Sequence, residues 1–294
     1  MLQPSIIKAF SPVDFKLLGR RLCCCFFGAV AFAAEIGQAN GTEIGRYRFE
    51  EGPAGSVATT VLDTSVPGGN DGMVFGAPIY SSDVPVNPLP LTGQANQLSL
   101  AFDNTKTEFV NVNATFPFNG PSDVTLEFWL KAPLQGHAAI FWSSFNINPD
   151  TNRFHIYLAG GTDFSGNGPQ VLGMDYRSPD GVLHQLLGGP NDTPFVITSD
   201  QWTHVAVTRA GDLYSFYKDG SLVEQTQDVG VDLPNNFGWE MAGRSHDFTG
   251  LIDEIRFSDR ALQPTEFLNA VPEPSSLALA TLAFFSLAAW RRLR

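Results

Sequence analysis

Carboxylates, imidazoles and thiols are the groups in this chain able to do chemistry, and their spacing serves little of it. Asp253 and Glu254 are adjacent within the apolar run Gly250-Leu251-Ile252-Asp253-Glu254-Ile255-Arg256-Phe257. Retaining glycoside hydrolysis needs two carboxyl groups about 5–5.5 Å apart, whereas neighbours along a strand point to opposite faces. Two positions beyond Glu254 stands Arg256, and four beyond stands Ser258. Glu127 has Thr125 and Trp129 two positions away and no acid. His137, His155, His184, His204 and His246 are scattered, with no pair at metal-ligand spacing. No Gly-x-Ser-x-Gly elbow occurs. The expectation is a protein that is not an enzyme.

The three cysteines, Cys23, Cys24 and Cys25, all lie in the apolar run from Leu22 to Ala34, behind Lys8, Lys16, Arg20 and Arg21. A basic stretch followed by a short apolar one is the layout of a secretory signal, expected here over residues 1–39. Ala31-Phe32-Ala33 and Gly37-Gln38-Ala39 offer small-x-small cleavage sites. Cleavage at either leaves no cysteine, which excludes a disulfide framework, a thiolate nucleophile and a thiolate metal site together.

The other end has three parts: Val271-Pro272-Glu273-Pro274-Ser275-Ser276, the apolar run Leu277–Trp290, and Arg291-Arg292-Leu293-Arg294. As a helix those fourteen apolar residues reach about 21 Å, short for a bilayer. An apolar run stopped by arginines reads as a transient hold in the inner membrane during export. This tail resembles the PEP-CTERM sorting signal of Gram-negative bacteria, with the motif at Pro272, Glu273 and Pro274. The resemblance implies processing by an exosortase-type enzyme and a host that makes exopolysaccharide. The implied destination is the cell envelope, outer surface or extracellular matrix.

Removing the ends sharpens the charge. Eleven of the 18 Lys and Arg and 27 of the 30 Asp and Glu fall within residues 40–270, a net charge of about -16 against -12 for the whole chain. Such a surface repels polyanions, so no nucleic-acid partner is expected, and it favours divalent cations.

Between these ends, short β-branched and aromatic runs are bounded by Gly, Pro, Asn and Asp, which predicts strands. In Val124–Lys131 every even position is apolar, while Thr125, Glu127 and Lys131 face the other way. Trp129 breaks that register and predicts a covered second face. Strands are also predicted at Trp202–Arg209, Leu213–Lys218 and Gly250–Phe257, with Asp219-Gly220 as a tight hairpin turn into Ser221-Leu222-Val223. Leu262–Leu268 reads as one short helix with Pro264 in its first turn. No 20–50-residue repeat is visible. The fold class is all-β, a two-sheet antiparallel sandwich of jelly-roll type over residues 40–270, with 271–294 as the sorting signal.

Four segments make this domain resemble the concanavalin A-like, laminin G-like superfamily: Tyr47–Gly52, Leu62–Ser65 with Gly69–Gly72, Trp202–Gly220, and Gly250–Ser258 with Arg260-Ala261-Leu262. The resemblance implies a non-catalytic lectin-like module that binds carbohydrate or matrix components. The alternatives are a structural or adhesive surface protein that binds another protein and, further off, a glycoside hydrolase. It also implies a structural calcium ion, with Glu50, Asp63 and Asp253 as candidate ligands and carbonyls of the Gly68–Gly72 loop completing the shell. For Asp63 and Asn70 the competing reading is turn formation. His204 is expected to make a structural hydrogen bond. Trp142, Phe164, Tyr176 and Trp239 are candidates for stacking on sugar rings, against the alternative that they pack in the core.

Overall fold

The computed structural model describes residues 43–66, 68–112, 123–143, 153–160, 168–178, 181–189, 193–228, 238–243 and 248–271. The expected signal peptide, Phe164, His246 and the Pro272-Glu273-Pro274 motif with its apolar run lie outside these residues. Residues 41–272 form one compact unit.

The domain is a sandwich of two antiparallel sheets. The first sheet runs, in spatial order, β14 (Ser221–Gln227), β13 (Leu213–Lys218), β12 (Thr203–Ala210), β6 (Val124–Lys131), β16 (Gly250–Ser258), β4 (Ser99–Phe102) and β3 (Ile79–Ser81). Strand β1 (Glu43–Tyr47) pairs with β16 beside β4. The second sheet runs β10 (Leu183–Leu187), β9 (Gln170–Arg177), β8 (Arg153–Gly160), β7 (Ala138–Ser143), β15 (Trp239–Met241), β5 (Phe109–Val112) and β2 (Gly72–Phe75), with β11 (Val196–Ile197) on β9.

Period-two patterning explains the layers. Val124, Leu126, Phe128 and Leu130 of β6 face Phe154, Ile156 and Leu158 of β8 and Leu172, Met174 and Tyr176 of β9 in one shared core. Trp129 packs on the opposite side with Leu89 and Leu268, so the second face of β6 is covered as its sequence predicts. The Asp219-Gly220 turn has φ of 50° and 80°, the two positive values a tight right-twisting hairpin needs.

Two local readings change. Leu262–Leu268 forms a strap across the first sheet whose helix shrinks to a 3-10 helix at Pro264–Glu266, with Pro264 in its first turn as expected, after which Phe267 is extended. The extension lets Phe267 and Leu268 bury themselves against the first sheet. The second change lies in β16. Ile252 and Ile255 both enter the core, so two residues rather than one lie between inward positions. Glu254 sits at φ 49° in a β-bulge, where the partner of β16 changes from β4 to β1. The bulge turns Asp253 and Glu254 to the same outer face, correcting the expectation that they diverge.

Candidate functional site

The outer face of the first sheet is a closed network of charge. Glu127 is fully buried. Its Oε1 accepts from Arg256 Nε at 2.6 Å; its Oε2 lies 2.9 Å from His204 Nε2 and accepts the Leu268 backbone N–H at 2.8 Å. Burial would raise this carboxyl, but Arg256, His204 and the Leu268 amide outweigh it and hold its pKa below the ordinary value. His204 thus has the structural hydrogen bond expected of it. Glu254, also fully buried, is clamped by Arg46 and by Arg48, whose Nε lies 2.9 Å from Oε1.

Asp253 behaves oppositely. It is fully buried, its Oδ2 accepts from Asn96 Nδ2 at 2.8 Å, and its Oδ1 has no hydrogen-bond partner. Burial, with the Glu254 charge beside it, pushes its pKa well above the carboxylate range. The β-bulge thus places two buried carboxyl groups, Asp253 and Glu254, side by side. Neither reaches solvent, so neither can meet a substrate.

Two of the proposed calcium ligands, Asp63 and Glu50, are engaged by hydrogen-bond donors. Both oxygens of Asp63 are taken by hydrogen-bond donors: Arg46 N, Ser65 N and Ser65 Oγ on Oδ1, and Asn70 N and Nδ2 on Oδ2. Despite partial burial these bonds lower its pKa. Asp63 is thus a loop-closing acceptor, as the turn reading has it. Glu50 Oε1 accepts the backbone N–H groups of Gln97 and Leu98. Among the described residues no three His, Cys, Asp or Glu side chains gather as metal ligands.

The outer face of the second sheet is built differently. Across seven strands one register row reads Gln185, Asp175, His155, Trp142, Glu240, Asn111, Met73. Its inward neighbours Phe154, Ile156, Met174, Trp239, Met241, Val110 and Val112 all enter the core, so the whole row points outward. The four middle members are buried, Asn111 is half-buried, and Gln185 and Met73 are exposed. His155 Nδ1 lies 3.8 Å from Asp175 Oδ2, and the Trp142 and His155 rings meet edge-on at 4.8 Å. His137 approaches His155 at 5.2 Å and Tyr157 at 5.0 Å between ring centroids. Tyr157 lies over Gly173, its register partner, where any Cβ would collide with the ring, and its hydroxyl accepts from Gln185 Nε2 at 3.0 Å.

Of the sugar-stacking candidates, Trp142 belongs to this row. Trp239 instead packs inward against Phe154 and Phe257, and Tyr176 is a core residue whose hydroxyl bonds Asp228. Sequence reasoning missed Asp175, Gln185, Glu240, Asn111 and Tyr157. Only strand pairing unites them, and the one available signal was the outward position of each in its strand. The two acids of the row, Glu240 and Asp175, stand three strands apart, about 14 Å at ordinary strand spacing. That exceeds the carboxyl separations of both retaining and inverting glycosidases.

A family model for the concanavalin A-like lectin/glucanases superfamily matches residues 103–267, more than half of the chain. The chain belongs to that superfamily. A second model, the PEP-CTERM protein-sorting motif, matches residues 270–293, which marks this concanavalin A-like protein for export and membrane-associated sorting. No curated protein matches the sequence. Among solved structures the domain is similar to domain 4 of AbnA, a GH43 extracellular arabinanase from Geobacillus stearothermophilus, in complex with arabinotriose. That match has a TM-score of 0.55 at 15% identity and covers 78% of this chain and 97% of that one. It is also similar to the binding domain of Paraclostridial Mosquitocidal Protein 1 (TM-score 0.50, 13% identity, 78% of this chain and 51% of that). The binding domain of botulinum neurotoxin DC in complex with rat synaptotagmin II gives a TM-score of 0.51 at 12% identity, over 78% of this chain and 50% of that. The chain spans about half the length of these toxin domains. At such identities the likeness concerns the fold.

Proposed function

We propose that this is an exported, exosortase-sorted protein of the Gram-negative cell envelope or matrix, whose sandwich binds saccharide without cleaving it. The observation that carries this reading is the outward row on the second sheet. It sets amide, carboxyl, imidazole and indole groups side by side and reaches solvent at Gln185, Met73 and the half-buried Asn111, where the hydroxyl groups of a saccharide would meet it. Its acids are too far apart for hydrolysis, and the closer pair, Asp253 and Glu254, is sealed from solvent. The arabinotriose complex of the arabinanase domain supports a saccharide ligand by analogy of fold. The ligand would enter at the exposed Gln185 end. The test is binding of the full chain to arabinan, to β-glucans and to exopolysaccharide from the producing cell. Retention on at least one, without release of reducing ends, is expected. Binding to none, with capture of a surface protein instead, would favour the adhesive reading.

A further inference from the structure

Gln185 stands at an open end of the outward row, and its amide has only one way to face. Strand β10 loses its register against β9 between Gln185 and Leu187. At that bulge the carbonyls of Met174 and Leu187 both accept from Gln185 Nε2, at 3.3 Å and 2.5 Å, and the Tyr157 hydroxyl accepts from it at 3.0 Å. Turning the amide over would set its carbonyl oxygen against two other carbonyl oxygens, with no proton between them. The NH2 group is therefore spent on the protein, and at this exposed residue Oε1 is the atom turned away from those contacts. The same end holds a further acceptor group, since the register partner of Gln185 is Asp175, whose carboxyl lies just behind it at 6% exposure. Donors nearby are engaged elsewhere. His184, next in the strand, points to the opposite face, its Nδ1 3.3 Å from Asp228 Oδ1. Arg177 Nη1 donates to the Gly181 carbonyl at 3.1 Å.

We propose that Gln185 is a specificity-determining residue that admits an uncharged saccharide and rejects acidic ones. A fixed carbonyl oxygen accepts a hydrogen bond from a sugar hydroxyl, which has a proton to give. A uronate carboxylate or a sulfate ester brings only acceptors to the same place. The two would face each other unpaired, on a domain whose net charge is already about -16. The inference deepens the proposed function and rests on its reading of the row as a saccharide site.

The full chain is tested for retention on two uncharged polymers, arabinan and β-glucan, and on two acidic ones, polygalacturonate and alginate. Each is run at low salt and in about 1 M NaCl, where charge is screened beyond about 3 Å. An uncharged polymer should be retained, and both acidic ones should bind at least about tenfold more weakly at either salt, the scale of one misplaced hydrogen bond. A second arm uses Gln185→Glu, which keeps the length of the side chain but loses its N–H groups. At neutral pH it should lose the uncharged polymer. As pH falls toward about 4.5 the carboxyl gains a proton, donates to the Met174 and Leu187 carbonyls and again presents a carbonyl oxygen. Binding relative to the native chain should then return, which a merely structural role for Gln185 would not produce. Retention of an acidic polymer in about 1 M NaCl would overturn the inference and leave the saccharide reading in place. So would a Gln185→Glu chain that binds like the native one at neutral pH, or one whose binding does not return. Retention of no polymer of either kind would strike the saccharide reading, and the inference with it.

Discussion

The two outer faces of the sandwich are both rich in buried polar side chains, yet they hold them by different means. On the first sheet the buried carboxylates Glu127 and Glu254 are matched by cations, and Asp253 beside them is not. Glu127 has Arg256, His204 and a backbone amide, and Glu254 has two arginines, under a strap whose own backbone completes the network. On the second sheet the polar groups form a row open at Gln185 and Met73, with His155 Nδ1 3.8 Å from Asp175 Oδ2. Interlocked charge pairs specify a geometry and seal it. A row of mixed amide, acid and ring edges reaches solvent only at its two ends. Substitution should therefore separate stability on one face from binding on the other.

The largest effect is expected at Arg256. Arg256→Ala leaves Glu127 buried with half its compensation and should cost about 3–5 kcal/mol, read by denaturant unfolding. Phe267→Ala, which unpins the strap from Tyr217 and Ala206, should cost a comparable about 3–5 kcal/mol. Row-end substitutions such as Gln185→Ala should stay within about 0.5 kcal/mol, because the residue is exposed. Equal losses on both faces would break the comparison.

Titration sharpens it next. Glu127 has a lowered pKa in the folded state, so its contribution is present above the ordinary glutamate pKa and disappears as pH falls through its folded value. Acid unfolding should steepen below about pH 4, and Glu127→Gln should remove part of that dependence. Asp253 has the opposite sign. Its folded pKa is raised, so the protein loses stability as pH climbs from the unfolded aspartate value through the folded one. Asp253→Asn keeps the neutral shape and should raise Tm at pH 7.5, with the gain shrinking toward pH 4. A gain that is uniform with pH would show that the carboxyl is not the cause.

A smaller effect should come from Gly173→Ala. The new methyl displaces Tyr157 from its seat, at a cost of about 1–3 kcal/mol, and loosens the Gln185 contact beside the row. Chelation is expected to do least. With Asp63 saturated by donors, EDTA should leave Tm unchanged, and a clear drop would mean that a cation binds elsewhere in the domain.

Much of the fold was legible because the first sheet alternates cleanly. Val124–Lys131, Leu213–Lys218 and the Asp219-Gly220 turn stand in the structure as their patterns require. The second sheet was harder to read. In Gln170–Arg177 the outward positions hold Val171 and Gly173 beside Asp175, so polar and apolar residues do not alternate in its sequence. The row itself is a matter of register. Trp142, His155, Asp175 and Glu240 are far apart in sequence and become neighbours only through pairing. The bulge at Asp253-Glu254 was invisible for another reason. Strict alternation is the default for a strand, and a glutamate at positive φ is a rare exception to it. The role of Asp63 was hidden on a similar point, since an aspartate in a turn-rich loop has the same sequence whether it binds a cation or caps its own backbone.

The central claim is that one face holds the domain together and the other meets saccharide. Its most direct test is affinity electrophoresis of the full chain through gels containing the retained polysaccharide. Native chain, the row variant Gln185→Ala/Asn111→Ala and the strap variant Thr265→Ala would be compared. The account predicts retardation of the native and strap proteins and free migration of the row variant, all three with the same Tm. Undiminished retardation of the row variant, or its loss in the strap variant, would contradict it.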